Sequence, residues 1–119
     1  VSRAAAVEQV LPYPNPMHDR TTFAFRLRGD DAGAVEEFRL RIFTLTGTLV
    51  REFDLVEDPS ALAAGTLRIG WNRLRWDGTD ADGDPVATGV YLYRVSVRAR
   101  GSALAVEDGA RVERLVVVR

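Results

Sequence analysis

The sequence predicts an all-β protein, an antiparallel sandwich of about seven strands. Two observations lead there. Apolar and polar residues alternate along most of the chain, and clusters of Gly, Asp, Pro and Thr interrupt the alternation at short intervals. Phe23, Phe25 and Leu27 alternate with Ala24, Arg26 and Arg28. Phe38, Leu40 and Ile42 alternate with Arg39 and Arg41, and Tyr91, Tyr93, Val95 and Val97 with Leu92, Arg94, Ser96 and Arg98. A period of two gives each strand one face in the core and one in water. Turn signals stand at Gly29-Asp30-Asp31, Thr46-Gly47-Thr48, Asp58-Pro59-Ser60, Asp77-Gly78, Asp82-Gly83-Asp84-Pro85 and Asp108-Gly109.

Taken in order, these signals predict strands near 7–13, 21–29, 35–45, 48–56, 66–76, 88–100 and 110–118. The alternation slips between Trp71 and Leu74, and a bulge there would turn both Trp71 and Trp76 inward. Only Ser60 to Ala64 suits a helical turn. Many short strands with almost no helix mean a sandwich or a small barrel, and a sandwich of immunoglobulin-like type is the expected fold. The chain has no cysteine, so neither an inter-sheet disulfide nor thiol chemistry is available.

The 119 residues are enough for one domain that buries roughly two-thirds of its unfolded surface. Net charge is −1, so no global field draws the chain to nucleic acid or to a membrane surface. Every basic side chain is Arg, many of them in predicted strands, while acids gather in predicted turns. No apolar run approaches the ~20 residues that span a bilayer, so membrane insertion is not expected. Residues 1–11 lack the pattern of a signal peptide. The chain reads as a segment of a longer protein: residues 1–9 a linker from a preceding domain, 10–119 the sandwich, with a natural terminus at Arg119.

Four motifs stand out. In Tyr13-Pro14-Asn15-Pro16-Met17, two prolines fix φ on both sides of Asn15, making a stiff corner or a rigid surface epitope. The second runs from Trp76-Asp77-Gly78 through Gly83 to Pro85, with carboxylates at Asp77, Asp80, Asp82 and Asp84. Calcium takes six to eight oxygens, so these four aspartates are the candidate metal site. The EF-hand spacing is not met, because glycine falls fourth from Asp80 and Tyr91 twelfth. A hairpin whose Asp side chains bond backbone amides is the preferred reading, and no cofactor is expected. In the third motif Gly89 opens a strand where another backbone comes close, and Tyr91 and Tyr93 supply core area. The fourth is the terminal strand Arg111 to Arg119. Its run Leu115-Val116-Val117-Val118 predicts cover on both faces. A core or edge strand is one reading. The other is an edge offered to a receptor, with Arg114 and Arg119 as exposed charge anchors.

Catalysis finds little footing. The one histidine, His18, lies in a loop beside Asp19, and none of Ser2, Ser60, Ser96 and Ser102 stands in a nucleophile context. There is no zinc-binding cluster and no phosphate-binding glycine loop.

In this order the motifs resemble a known family. Tyr13-Pro14-Asn15-Pro16 opens it; Ile42 to Arg51 (IFTLTGTLVR) resembles its strand–turn–strand; Trp76-Asp77-Gly78 with Asp80, Gly83 and Gly89-Val90-Tyr91 resembles its long hairpin; Arg114-Leu115-Val116 stands where it has KLV. The family is the type IX secretion C-terminal sorting domain (type A), related to the Ig-like domain of the flagellar hook-capping protein. The stretch after Tyr93, reaching Glu107-Asp108-Gly109, also resembles the end of that system's sortase. The resemblance covers residues 10–119. It implies a non-catalytic sorting or docking signal for the cell surface, the outer membrane or the medium, reached through the periplasm. It also implies three partners: the translocon, an outer-membrane shuttle barrel and, if the domain is cleaved, the sortase. The partner-binding residues would be Arg111, Arg114, Leu115, Val116, Val117, Val118 and Arg119. Met17 departs from the family's Phe, and Arg114 and Arg119 from its Lys. Two rival functions are a structural Ig-like spacer and a carbohydrate-binding module using Trp71 or Tyr91.

Overall fold

The computed structural model describes residues 6–29, 31–99, 102–103, 105–106 and 112–119. Arg111 and the hairpin at Glu107-Asp108-Gly109 lie outside the described residues. The strands are β1 (Ala6–Tyr13), β2 (Thr21–Arg28), β3 (Val35–Thr44), β4 (Leu49–Asp54), β5 (Gly70–Trp76), β6 (Gly89–Ala99), β7 (Ser102–Ala103), β8 (Ala105–Val106) and β9 (Glu113–Val117). Seven of them fall where the alternation places strands; β7 and β8 are two-residue additions. Short 3₁₀ turns occupy Ala32–Ala34 and Pro59–Ala61.

Two sheets face each other. One has the order β5-β2-β1-β8; the other has β4-β3-β6, with β7 and β9 both on the far edge of β6. The chain crosses between sheets after β2, after β4 and after β5, the Greek-key division of an Ig-like sandwich, and β8 returns briefly to the first sheet before β9. All pairings are antiparallel except β1 with β8.

The alternation explains the core. Phe23, Phe25 and Leu27 of β2 and Leu74 and Trp76 of β5 point inward from the first sheet. Phe38, Leu40 and Ile42 of β3, Tyr93 and Val95 of β6 and Leu115 and Val117 of β9 meet them from the second. Two aromatic pairs join the layers: Phe23 with Tyr93 at 5.1 Å, edge to face, and Phe25 with Phe38 at 4.7 Å. Burial of this area supplies most of the folding drive. The Tyr93 hydroxyl, carried into the core on its ring, donates to the Val10 carbonyl at 3.1 Å. Burial first, then the Glu113 carboxylate, push its pKa up to about 12.

Three expectations are corrected. The sandwich begins before residue 10: β1 starts at Ala6 and Val7 is fully buried, so residues 6–9 are not linker. A bulge in β1 between Glu8 and Leu11 lets both Val7 and Val10 face inward. The two tryptophans do not both turn inward. β5 pairs with β2 without a register shift, so Trp71 stands outside, 48% exposed, and Asn72 takes the inward place. Asn72 is tolerated there because its amide donates to the Arg68 and Gly70 carbonyls and its oxygen accepts from Arg68 N. The run Leu115 to Val118 is not covered on both faces. Leu115 and Val117 are buried, Val116 is half-buried and Val118 exposed.

Because the folded pKa of Tyr93 lies above that of the free side chain, the neutral phenol stabilises the fold fully below about pH 10. That contribution is lost as pH rises through about 12. Ultraviolet titration of the phenolate should show a step near pH 12 that is missing in Tyr93→Phe. If the step is unchanged in that variant, the burial assigned to Tyr93 is wrong.

Candidate functional site: the locked C-terminal strand

Three of the four motifs, scattered through the sequence, converge on the fourth, β9. One edge of β9 pairs with β6, from Gly89↔Val117 to Tyr93↔Glu113. The other edge is closed by the proline corner. The Asn15 side chain donates to Arg114 O at 3.2 Å and accepts from Val116 N at 3.0 Å, so its carboxamide imitates a strand's peptide group. Met17 continues the ladder through its main chain: Met17 N to Val116 O and Val118 N to Met17 O, both 2.8 Å. His18 Nδ1 lies 2.7 Å from Val118 O. The bonds Tyr13–Pro14 and Asn15–Pro16 are both cis, and the Met17 side chain is fully buried.

The acidic hairpin closes the end of the strand. Arg119 N donates to Thr88 Oγ1 at 2.8 Å, while the Arg119 guanidinium donates to the Val86 and Gly78 carbonyls. Gly78 has φ +73, and a Cβ there would stand 2.9 Å from Asp19 O and 2.7 Å from Arg119 Nη2. Glycine is needed at 78 for both backbone conformation and space. Gly89 is different. A Cβ there would meet only the Tyr91 ring, at 3.9 Å, so no backbone approaches it as expected. Tyr91 is buried and its hydroxyl donates to Ala87 O at 2.7 Å. Trp76 is buried with its indole N–H on Thr79 O at 2.9 Å.

Arg51 ties the same hairpin to β4. Its Nη1 donates to Thr79 Oγ1 at 2.9 Å, and its guanidinium lies 4.8 Å from the Phe53 ring centre. In the hairpin, Asp77 accepts from Thr79 N and Oγ1; the Thr79 hydroxyl holds its carboxyl below the ordinary range, and Arg51 adds to the effect. Asp80 Oδ1 accepts from Asp82 N and Asp84 N. The ligand atoms of Asp80, Asp82 and Asp84 lie within 4.8 Å of one another, and Asp77 is not in that group. Taken at one oxygen each, the three carboxylates offer three of the six to eight oxygens calcium takes, and Asp80 Oδ1 already accepts from two amides. Gly83, with φ +86, makes the turn between them.

The expected partner-binding residues therefore divide. The main-chain edge of β9 is not free for strand addition, because Asn15 and Met17 occupy it. Arg119 is not a free anchor, because its guanidinium is bonded inside the fold. Leu115 and Val117 are core. What β9 presents outward is Arg114 and Val116, opposite Leu92 and Val90 of β6. Phe43 of β3 lies opposite Leu92, and Leu49 of β4 opposite Phe43. This end of the second sheet is a partly exposed apolar patch with Arg114 at its margin. The other end carries ion pairs of Arg39 with Glu37, Glu52 and Asp54, and of Arg98 with Glu37. Sequence reading missed Asn15 as a strand mimic, Arg51 as a hairpin clamp and Thr88 as a cap for Arg119. Only Arg51 left a local signal, as the basic end of the Ile42–Arg51 motif.

Fold and site together describe an Ig-like sandwich whose last strand is locked by its first loop. Among solved structures, the chain is similar to a dimeric latent PorU from Porphyromonas gingivalis, with 24% identity, a TM-score of 0.64 and coverage of 98% of this chain and 10% of that one. The chain thus corresponds to about a tenth of the PorU chain. A truncated FlgD from Helicobacter pylori matches 92% of this chain and 68% of its own at 14% identity and TM-score 0.49. A CARDB domain from Pyrococcus furiosus, solved with di-metal ions, matches 97% and 86% at 12% identity and 0.44. The PorU likeness carries the fold; the other two carry no argument. No protein-family model and no curated protein matches the chain.

Replacing Asn15 by Ala removes two hydrogen bonds and should cost about 1–2 kcal/mol. Gly78→Ala should cost about 1–3 kcal/mol through strain at positive φ and the close Asp19 carbonyl. Chemical denaturation measures both; a Gly78→Ala protein as stable as its parent would contradict the packing described around Arg119.

Proposed function

We propose that this chain is a non-catalytic sorting and docking domain of the type IX secretion system. It directs its parent protein through the periplasm to the translocon and an outer-membrane shuttle barrel, for display on the cell surface or release; a sortase acts on it if it is cleaved. The observation that carries the proposal is convergence. Segments that resemble sorting domains and lie far apart in sequence meet at β9: the proline corner and Gly89-Val90-Tyr91 flank it, the acidic hairpin caps its end, and Arg51 of the Ile42–Arg51 segment ties to that hairpin. The likeness to PorU over 98% of the chain supports an association with the type IX system.

In this reading the partner docks on the outer face of β9 and β6 rather than on the strand edge. Arg114, Val116, Leu92 and Val90 form its centre, and Val118 lies beyond. The locked edge has a role: it holds that face flat and prevents edge pairing with other chains. Catalysis has no part. The His18 ring is bonded to a main-chain carbonyl, and the described residues bring no serine hydroxyl to it. A spacer function makes the opposite prediction, that the face can be altered without consequence.

The test is export. The chain is fused behind a periplasm-directed fluorescent protein in a host with type IX machinery, and surface and medium are assayed. The parent fusion should leave the cell and should stay in the periplasm when the translocon is absent. Arg114→Glu combined with Val116→Thr should lose most export. Stability should fall by less than about 1 kcal/mol, because Arg114 is exposed with no ion pair among the described residues and Val116 is only half-buried. Export of this variant at the parent level would remove the docking face; failure of the parent fusion itself would favour the spacer.

A further inference from the structure

The outer face of the first sheet is built differently from that of the second. Its central strand, β2, carries the small residues Thr22 and Ala24 outward, both half-buried. On β5, Arg75 lies opposite Thr22 and Arg73 opposite Ala24. On β1, Tyr13 lies opposite Thr22 and Leu11 opposite Ala24. Directly paired residues share a face. Small residues in the middle strand at Thr22 and Ala24, with large ones on both flanks, make a shallow trough along β2 that ends at Arg26. Arginines form one wall, and Tyr13 with Leu11 forms the other. Trp71, opposite Arg26, stands at one end of the arginine wall.

The walls lack internal partners. Tyr13 is 80%, Leu11 59% and Trp71 48% exposed, although each is large and at least partly apolar. Arg73 and Arg75 are exposed, and neither guanidinium meets an acid among the described residues. The one described acid in register on this face is Glu8, opposite Arg26 beyond the trough; the residues in register with Thr22 and Ala24 include none. The contrast with Arg39 and Arg41, paired to acids on the opposite sheet, shows that the segregation is not a general property of this Arg-rich chain.

We infer that this trough binds a linear anionic polysaccharide, one bearing uronate or sulfate-like groups on its sugar rings. Three features select that class. The charge is complementary: two arginines, whose backbone positions stand about 6.6 Å apart along one strand face, offer forked donors that match carboxylate or sulfate-type oxygens. The aromatic faces of Trp71 and Tyr13 give flat apolar surface to the ring faces of sugars. The dimensions fit a thin chain. The face is about 10 Å across three strands and about 13 Å from position 71 to 75, roughly 130 Å², far below the ~800 Å² that each side of a stable protein interface buries. An extended peptide is disfavoured for a separate reason: β2 spends its main-chain groups on β1 and β5, leaving none for strand addition. This site lies on the sheet opposite the proposed docking face, and neither inference rests on the other.

The 119-residue chain can be titrated calorimetrically with polygalacturonate and with dextran sulfate, using unmodified dextran and poly-glutamate for comparison. Both acidic glycans should bind, more tightly at low salt, and dextran should not. Arg73→Gln with Arg75→Gln should weaken binding about tenfold or more. Trp71→Ala should weaken it severalfold, and Arg94→Gln with Arg114→Gln on the other sheet should leave it unchanged. Circular dichroism of each variant must match the parent. No affinity above that for dextran would overturn the inference. So would poly-glutamate binding as tightly as the glycans, or equal losses from the variants on the two faces.

Discussion

An open strand edge is the constraint around which this molecule is arranged. A sandwich made of two open sheets ends in rows of unpaired N–H and C=O groups, and such rows recruit other chains. The edge at β9 is closed in an economical way. One carboxamide, that of Asn15, supplies both a donor and an acceptor, and Met17 supplies the next pair of main-chain groups. The prolines on either side of Asn15 limit the conformations the corner can adopt. Closing the edge brings Met17 into the core and places Asp19 O against Gly78, so the hairpin and the strand are held by the same few atoms.

Charge follows the architecture rather than the composition. The net value of −1 conceals a division between layers. On the second sheet, arginines are threaded among acids and serve as cross-strand ties. On the first, Arg73 and Arg75 share a face with exposed aromatics and meet no acid among the described residues, Glu8 lying farther along opposite Arg26. Arg51 and Arg119 do a third job, satisfying carbonyls of the acidic hairpin, where partial burial makes each bond stronger than at an open surface. Four aspartates can therefore be crowded into eight positions, since Asp77 and Asp80 also accept from the hairpin's own amides.

How much of this was legible in the sequence depends on the range of the forces involved. The strands were readable, because side-chain alternation is a local consequence of the pleat: Phe23, Phe25, Leu27 and their counterparts in β3 and β6 are buried as the period requires. The inward Asn72 was misread as a slip of register, because an amide breaks the apolar pattern unless its hydrogen bonds to Arg68 and Gly70 are known. The motifs were visible, but their roles were not. Asn15 looks like any turn residue until Arg114 and Val116, 99 and 101 positions later, are set beside it. Arg119 looks like a solvated end until Gly78 and Val86 are found beneath it. The trough on the first sheet could not be read at all, since it depends on which strands are neighbours.

The pairing of Asn15 and Met17 with Val116 and Val118 also has a consequence in time. Contacts between residues about a hundred apart carry the largest loop-closure cost and form late, and in a chain emerging from a ribosome they cannot form before residue 118 exists. Until then the proline corner waits without its strand and Met17 has no core to enter. A chain interrupted short of residue 113 would carry an unfinished layer and an adhesive border. Closure of this one seam therefore distinguishes a chain that has reached residue 118 from one that was broken off before it.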